Sequence, residues 1–344
     1  MEWNRNHSIV DNVLDAIGLT PMIRLNRIAA DITTEICIKL EYTNPSGSLK
    51  DRVVKQIIRE AEKRGELRPG MILLEGTTGN TGISTCMVGA ALGYKVIIVM
   101  PEGMSEERKK TIQAYGAELV LTPGAETDVD LVLEEVERIK KQYGDQIFEI
   151  GQFYRNDNVK AHLANTGPEI WEQTAGNLDA FIMCEGTGGT VTGTAQYLKR
   201  QNPDIKIYIS EPAESPMLSA GKVGKHQIQG IADGLIPEIL DLDWIDGIIL
   251  CSSDESMHMA QRMAREEGIF CGMSSGCNVL AARKLAHKYP EMKRIVTMVN
   301  DNGLRYLSTP LCGAELNRPD LDRDYTMKAE DLEKLARYSF EIIE

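Results

Sequence analysis

Short runs of apolar residues alternate with longer amphipathic stretches through most of this 344-residue chain. The apolar runs predict strands over residues 36–40, 71–74, 95–100, 118–121, 180–183, 205–209, 247–250 and 295–299. The stretches between them predict helices, including one that starts near residue 53, one over about 129–143 and one near 277–289. Strands that alternate with helices predict an α/β fold with parallel sheets, which bind ligands at the carboxyl ends of their strands.

One polar turn, residues 44–52 (NPSGSLKDR), follows the strand at 36–40 and leads into the first long helix. Lys50 therefore lies near a helix N-terminus, where the helix dipole and free N–H groups would lower its pKa. A lysine placed in this way suits imine formation with a carbonyl compound. The alternative is an exposed lysine in an ordinary turn.

Two glycine-rich turns, residues 75–82 (EGTTGNTG) and 186–190 (GTGGT), each follow a predicted strand and enter a predicted helix. Successive N–H groups converge on an anion in this geometry. Neither turn has the Gly-Lys-Ser/Thr ending of a nucleotide P-loop or the GxGxxG dinucleotide pattern. A third polar turn, residues 300–303 (NDNG), follows the strand at 295–299. Two anion sites and one poised lysine predict a phosphorylated carbonyl cofactor and a substrate carboxylate.

These motifs together resemble the fold-type II pyridoxal-phosphate (PLP) enzymes, and within them the cysteine synthase (O-acetylserine sulfhydrylase) and cystathionine β-synthase group. The resemblance runs from Ile17 to Thr309 and also includes residues 152–153 (QF), 166–171 (TGPEIW) and 272–276 (GMSSG). It implies an α/β fold of two domains, each a parallel twisted sheet flanked by helices, as in the tryptophan synthase β-like fold.

The resemblance also implies the domain boundaries. Residues 46–150 would form a smaller mobile domain inserted into a larger PLP-binding domain built from residues 1–45 and 151–315. Residues 316–344 form a charged C-terminal extension with apolar positions at Leu332, Leu335, Ala336 and Phe340. Two interpretations of this extension remain open, a helix that packs on a subunit partner of a homodimer and a solvated tail.

Residue roles follow from the motif positions. Lys50 would hold PLP as a Schiff base and then act as the base at the substrate Cα. Asn80 would hydrogen-bond the phenolic oxygen of the cofactor. The substrate carboxylate would be bound by Thr77, Thr78, Gly79, Thr81 and Gln152, and the cofactor phosphate by Gly186, Thr187, Gly188, Gly189 and Thr190. The alternative for Thr77, Thr78 and Gln152 is a role as turn formers or a helix cap.

The chain departs from the family pattern at two positions. The family typically has a serine opposite the pyridine nitrogen in a Ser-Gly-Glu-Arg-Tyr-like stretch, and alignment on Arg305 places Asn302 there, with Asp301 as the alternative partner. At the mouth of the site, Asp233 stands where the family has a small residue. Its carboxylate would activate an incoming nucleophile, or it is a solvent-exposed turn residue.

The function implied is PLP-dependent β-replacement through an aminoacrylate, with cysteine synthesis from O-acetylserine and sulfide as the leading assignment. Alternatives are cystathionine β-synthase-like condensation and sulfide-releasing cysteine lyase chemistry, both using Asp233. Serine/threonine deaminase activity is a further alternative, and a partner-binding role without catalysis would require a broken site.

Composition restricts the partners and the cofactors. A net charge of −13 and a pI near 5.0 disfavour nucleic acid and anionic membranes. The chain lacks a run of ~18 apolar residues and begins without the layout of a signal peptide, so we expect a cytoplasmic enzyme. The seven cysteines are scattered, which favours buried thiols over disulfides or a metal site. The sequence lacks a cysteine–histidine pair near the N-terminus, which argues against the haem-bearing form of cystathionine β-synthase.

Overall fold

The computed structural model describes residues 9–125, 128–315, 321 and 325–344. Its strands are β1 (Met22–Arg24), β2 (Glu35–Leu40), β3 (Ile72–Gly76), β4 (Lys95–Pro101), β5 (Glu118–Thr122), β6 (Ile147–Glu149), β7 (Ala180–Cys184), β8 (Lys206–Pro212), β9 (Gly247–Cys251), β10 (Arg294–Val299) and β11 (Glu341–Ile343). Each of the eight strands predicted from the apolar runs is present, and β1, β6 and β11 are additional.

The helices are α1 (Lys50–Arg64), α2 (Asn80–Leu92), α3 (Glu106–Ala114), α4 (Val129–Tyr143), α5 (Asp157–Ala161), α6 (Gly167–Gln173), α7 (Gly189–Gln201), α8 (Met217–Ala220), α9 (Ser253–Arg262), α10 (Met273–Lys288) and α11 (Ala329–Leu335). Helix α1 begins at Lys50, three residues before the predicted start. The lysine therefore lies in the first turn of the helix, where N–H groups have no partner within the helix.

The strands form two sheets, of seven strands in the order β1-β2-β10-β7-β8-β9-β11 and of four in the order β5-β4-β3-β6. Strand β1 pairs antiparallel with β2, and the other described pairs are parallel. Helices pack on both sheets, so strands such as β7 are buried throughout. The predicted α/β fold with two parallel sheets is confirmed.

Each sheet has its own hydrophobic core. The larger core surrounds β10, β7 and β8, whereas the four-stranded sheet, with residues 72–149, packs against α1 and α2 on one side and α4 on the other. The carboxyl ends of β3, β7 and β10 all point toward the space between the sheets, where their polar turns meet. The domain boundaries at residues 46, 150 and 315 stay a prediction.

The C-terminal extension packs on its own chain, which neither interpretation from the sequence anticipated. Strand β11 joins the edge of the seven-stranded sheet, parallel to β9, and the side chain of Lys334 in α11 donates to the carbonyl of Leu240 at 3.2 Å. Leu335 is buried, whereas Leu332 is exposed. Tyr325 reaches residue 128 beside the four-stranded sheet, where its hydroxyl donates to Asp128 at 3.0 Å. Residues 316–320 and 322–324 lie outside the described residues.

Six of the seven cysteines are buried thiols, and Cys312 is exposed. Among the described residues, no cluster of three or more His, Cys, Asp or Glu side chains is arranged to hold a metal ion. No helix in the described parts of the chain has the length and apolar character needed to span a membrane.

Candidate active site

A cavity between the two sheets encloses about 740 Å³ of space that opens to solvent on one side. Most of the residues that the sequence singled out line it: Lys50, Thr77, Thr78, Asn80, Thr81, Gln152, Gly186, Thr187, Gly188, Thr190 and Asp233. Gly79 and Gly189 lie in the same two loops. Gly79 directly precedes helix α2, and Gly189 is the first residue of helix α7. The turns that are far apart in the sequence thus meet in one place.

The turn before Lys50 is fixed by hydrogen bonds to buried acceptors. Asp51 accepts from the backbone N–H of Ser46 at 2.7 Å and from the hydroxyl of Ser84 at 2.6 Å. Gly47 has a φ of +88°, which a residue with a side chain rarely adopts. The guanidinium of Arg305 donates to the carbonyl of Gly47 at 2.6 Å. The backbone therefore holds Lys50 at one point of the cavity wall.

Burial lowers the pKa of Lys50, and the nearby carboxylate of Asp233 opposes that effect. An amine without its proton is a nucleophile, and a buried lysine loses its proton more readily than an exposed one. The exposed-lysine alternative is therefore wrong, because the Lys50 amine lies inside the cavity. This arrangement suits imine formation with a carbonyl compound.

The loop at residues 77–81 is the predicted first anion site. Thr77 accepts from the N–H of Gly79 at 3.0 Å, and the hydroxyl of Thr81 donates to Gln152 at 2.5 Å. Helix α2 starts at Asn80, so its free N–H groups and the threonine hydroxyls face the same space. The arrangement suits a carboxylate, and Gln152 is part of it rather than a helix cap.

The loop at residues 186–190, the predicted second anion site, lies at the start of α7. Gly188 has a φ of +76°, and a β-carbon on Gly189 would overlap the side chain of Asn158. That asparagine donates to the hydroxyl of Thr187 at 3.0 Å. The glycines thus allow the backbone to lie close to its neighbours, and N–H groups at the helix N-terminus remain available to a phosphate.

A buried histidine supports the same loop. His162 Nε2 lies 3.1 Å from the hydroxyl of Thr190, and its Nδ1 lies 2.9 Å from that of Thr166. Burial lowers the pKa of His162 to about 3, so the ring is neutral and orients Thr190 without adding charge. Neither His162 nor Asn158 stood out in the sequence, although their spacing of four residues places them on one helix face.

Neither of the two residues predicted to contact the pyridine nitrogen of the cofactor, Asn302 and Asp301, lines the cavity. The side-chain oxygen of Asn302 accepts from the N–H of Leu304 at 2.8 Å, where it caps a short 3₁₀ turn (Gly303–Tyr306), and Asn302 does not line the cavity. Asp301 accepts from Asn80 and Tyr306. Ser274, at the N-terminus of α10, lines the cavity instead. The alignment on Arg305 selected Asn302 because the sequence does not show which side chains of the turn face inward.

Asp233 lines the cavity and is 7% exposed. The alternative of a solvent-exposed turn residue is therefore wrong. Its loop is held against the second anion site, because the N–H of Ala232 donates to the carbonyl of Glu185 at 3.0 Å. Burial raises the pKa of the Glu185 carboxyl well above its usual value, and the nearby Asp233 raises it further. One side of the cavity therefore carries acidic groups close to Lys50.

A partly buried lysine between two loops that suit anions is typical of enzymes that bind a phosphorylated aldehyde and an amino-acid carboxylate at once. PLP fits the residues present. The second loop suits its phosphate, Lys50 suits its aldehyde, and the NH₂ group of Asn80 uses one hydrogen on Asp301 and keeps a second for another acceptor.

The family model for pyridoxal-phosphate dependent enzymes matches residues 13–301, so the chain belongs to this family and its cofactor is PLP. The chain is 44% identical over 303 residues to a cysteine synthase of Staphylococcus aureus, which covers 88% of this chain and 97% of that protein.

Two solved structures are similar to the fold described here. The structure of a cysteine synthase of Entamoeba histolytica matches this chain with a TM-score of 0.85 and 39% sequence identity, and the match covers 98% of each chain. A hydrogen sulfide-producing enzyme of Fusobacterium nucleatum has a TM-score of 0.84 at 39% identity and covers 87% of this chain and 100% of its own.

Proposed function

We propose that this chain is a PLP-dependent cysteine synthase, which replaces the acetoxy group of O-acetylserine with sulfide and releases acetate. The observation that carries the proposal is Lys50 in the cavity wall between two loops that suit anions, in a chain 44% identical to a cysteine synthase over 88% of its length. Bound PLP supplies an electron sink for the pair left when the substrate Cα–H bond breaks.

Lys50 has two roles in the proposal. Its nitrogen would hold the cofactor through the aldehyde carbon, and as a free amine it would take the proton from the substrate Cα. Burial supports both steps, because it lowers the pKa of Lys50 and so favours the unprotonated amine.

The two loops orient the substrate and the cofactor. Thr77, Thr78, Gly79, Thr81 and Gln152 bind the substrate carboxylate, and the loop at residues 186–190 binds the cofactor phosphate. Asn80 donates to the phenolic oxygen of the cofactor. With the carboxylate fixed at one end and the amine at the other, the Cα–H bond is directed toward Lys50, which is the positioning that proton transfer requires.

For the pyridine nitrogen we propose Ser274 in place of Asn302. The amide of Asn300 donates to the Ser274 oxygen at 3.1 Å, so the serine hydroxyl hydrogen stays available to an acceptor in the cavity. A hydroxyl donates to an unprotonated ring nitrogen and leaves a moderate electron sink. That property favours loss of a β-substituent over transamination.

A second candidate function is release of sulfide from cysteine by addition of water at Cβ. The observation that favours it is the carboxylate of Asp233 in the cavity wall, where it can take a proton from an incoming water. The similarity to a hydrogen sulfide-producing enzyme supports the same reaction. Hydrosulfide is already a strong nucleophile at neutral pH and needs little such activation.

The proposal also includes a homodimer in the cytoplasm and a mobile unit of residues 46–150 that closes on the substrate carboxylate. Both follow from the resemblance to the family. Light scattering on the purified protein tests the assembly, since a homodimer has twice the 38.2 kDa mass of the chain.

The reaction is tested by incubating the PLP-loaded protein with O-acetylserine and sulfide, with cysteine alone, and with serine alone. We expect cysteine and acetate from the first mixture. Sulfide and serine from the second would indicate the second candidate, and pyruvate from the third would indicate a deaminase. Lys50→Ala is the control for the background reaction, and no cysteine above that background would overturn the proposal.

A further inference from the structure

Asp301 is fully buried and does not line the cavity, but it contacts Asn80, which does. Its Oδ2 accepts from the side-chain amide of Asn80 at 2.7 Å and from the hydroxyl of Tyr306 at 2.7 Å. Asn80 starts helix α2 beside the four-stranded sheet, whereas Asp301 follows β10 of the seven-stranded sheet. The contact therefore joins the two halves of the active site.

The carboxylate determines how the Asn80 amide is turned. Oδ2 of Asp301 accepts from Tyr306 as well as from Asn80, so the NH₂ group of Asn80 faces Asp301 and its side-chain oxygen faces away. One hydrogen of that NH₂ group is then used, and the other remains for an acceptor in the cavity. In the opposite orientation two oxygens would face each other, and Asn80 would present an acceptor where the phenolic oxygen needs a donor.

A nearby cation compensates the buried charge. Nη2 of Arg108 lies 4.0 Å from Asp301 Oδ2 and donates to the Tyr306 hydroxyl at 2.7 Å. Its guanidinium carbon lies 4.4 Å from the centre of the Tyr306 ring. The same guanidinium donates to the side chain of Gln229. Arg108 is 1% exposed, so the charges sit where an unpaired carboxylate would be strongly unfavourable.

Arg108 also contacts the loop proposed to bind the substrate carboxylate. A β-carbon on Gly79 would overlap the Cδ and Nε atoms of Arg108, so the arginine fills the space that a side chain at position 79 would take. The arginine belongs to α3, next to the four-stranded sheet. The cluster of Arg108, Tyr306 and Asp301 thus holds both the loop and Asn80.

We propose that Asp301 is a positioning residue that acts through Asn80, because it holds the amide in the orientation that donates to the phenolic oxygen of the cofactor. The inference rests on the placement of PLP in the proposed function. It does not depend on which nucleophile the enzyme uses, since the contact affects the cofactor before any substrate arrives.

The test compares Asp301→Asn with Asp301→Ala in the PLP-loaded protein without substrate. The visible absorption band of the bound cofactor and the rate of cofactor release are measured. Asparagine can present an oxygen to both donors, whereas alanine presents none. We expect Asp301→Ala to shift the band and to release PLP about tenfold faster, as the loss of a hydrogen bond to a charged group predicts. Asp301→Asn should stay much closer to the wild type.

Two further comparisons separate positioning from general stability. If Asp301 acts through Asn80, then Asp301→Ala should add little to the effect of Asn80→Ala in a double-mutant cycle. Asp179→Ala is the matched control, because Asp179 also accepts two hydrogen bonds, at 2.7 and 2.8 Å, but at the opposite end of β10. It should lower the unfolding midpoint without changing the cofactor band.

An unchanged band in Asp301→Ala, equal losses in the asparagine and alanine variants, or additive effects in the cycle would each overturn the inference. If Asp301→Ala does not fold, Asp301→Ser replaces it in the same comparison. A protein that binds PLP normally but makes no cysteine would refute the proposed function and leave this test intact.

Discussion

His162→Gln tests whether the histidine that contacts the loop at residues 186–190 stays neutral in the folded chain. His162 contacts Thr190 and Thr166 with its two ring nitrogens and is 1% exposed. Its pKa is about 3 in the folded chain against an ordinary value of 6.5. Because the unfolded state binds a proton at a higher pH than the folded state, the free energy of unfolding falls as the pH falls from 6.5 toward 3.

The magnitude follows from the size of the shift. A shift from 6.5 to about 3 corresponds to about 5 kcal/mol over the whole range, at 1.36 kcal/mol per pKa unit. At pH 5 the unfolded chain is mostly protonated at this residue and the folded chain is not. His162 therefore contributes about 2 kcal/mol to the decrease in the free energy of unfolding between pH 7.5 and pH 5.0.

The assay is urea unfolding at pH 7.5 and pH 5.0. Glutamine keeps a polar group near Thr190 but does not titrate. The decrease in the free energy of unfolding from pH 7.5 to pH 5.0 should therefore be about 2 kcal/mol smaller in His162→Gln than in the wild type. His258→Gln is the control, because His258 is exposed. An identical pH dependence of the wild type and His162→Gln would refute the reasoning, since His162 would then bind protons equally in both states.

Three further predictions concern the site and its support. Lys50→Ala should abolish both the visible cofactor band and turnover, and normal turnover would contradict its assignment. Asp233→Asn should lower sulfide release from cysteine by ~10²–10⁴-fold while cysteine formation from O-acetylserine and sulfide is largely retained; equal losses in both reactions would remove its role. Arg52→Met leaves the buried Glu41 without its guanidinium partner, whereas Glu169 keeps its ion pair with Lys39, and it should cost about 3–5 kcal/mol in urea unfolding. Arg59→Met, in the half-exposed pair with Glu62, should cost about 1 kcal/mol or less, and similar losses would refute the ion-pair argument.

The strands were predictable where apolar residues run together. Strands β7 and β10 are buried on both faces, so their sequences are continuous apolar runs that need no knowledge of their neighbours. Strands β1, β6 and β11 have three residues each, too few for any periodicity to show. Their existence depends on pairing with β2, β3 and β9, which a linear sequence does not display.

The candidate site was predictable wherever glycines and polar residues cluster in one turn. The loops at 77–81 and 186–190 have this form, and the structure brings both to one cavity. Single residues contributed by another element were not assigned from the sequence, among them Ser274 in the cavity wall and Tyr306 behind it. The choice of Asn302 has the same origin, because adjacent side chains in an extended turn point in opposite directions and the sequence does not show which one faces inward.

The order of strands in the larger sheet has a consequence for the newly made chain. Strand β2, at residues 35–40, lies next to β10, at residues 294–299. The four-stranded sheet is complete once residue 149 has been synthesised. Strand β2 can by then pair with β1 on one edge, but its other edge waits for β10, about 150 residues further along. At about 5–20 residues per second, that wait is on the order of 10–30 s. During synthesis the edge of β2 is therefore open to pairing with other chains, and early folding of the four-stranded half does nothing to cover it.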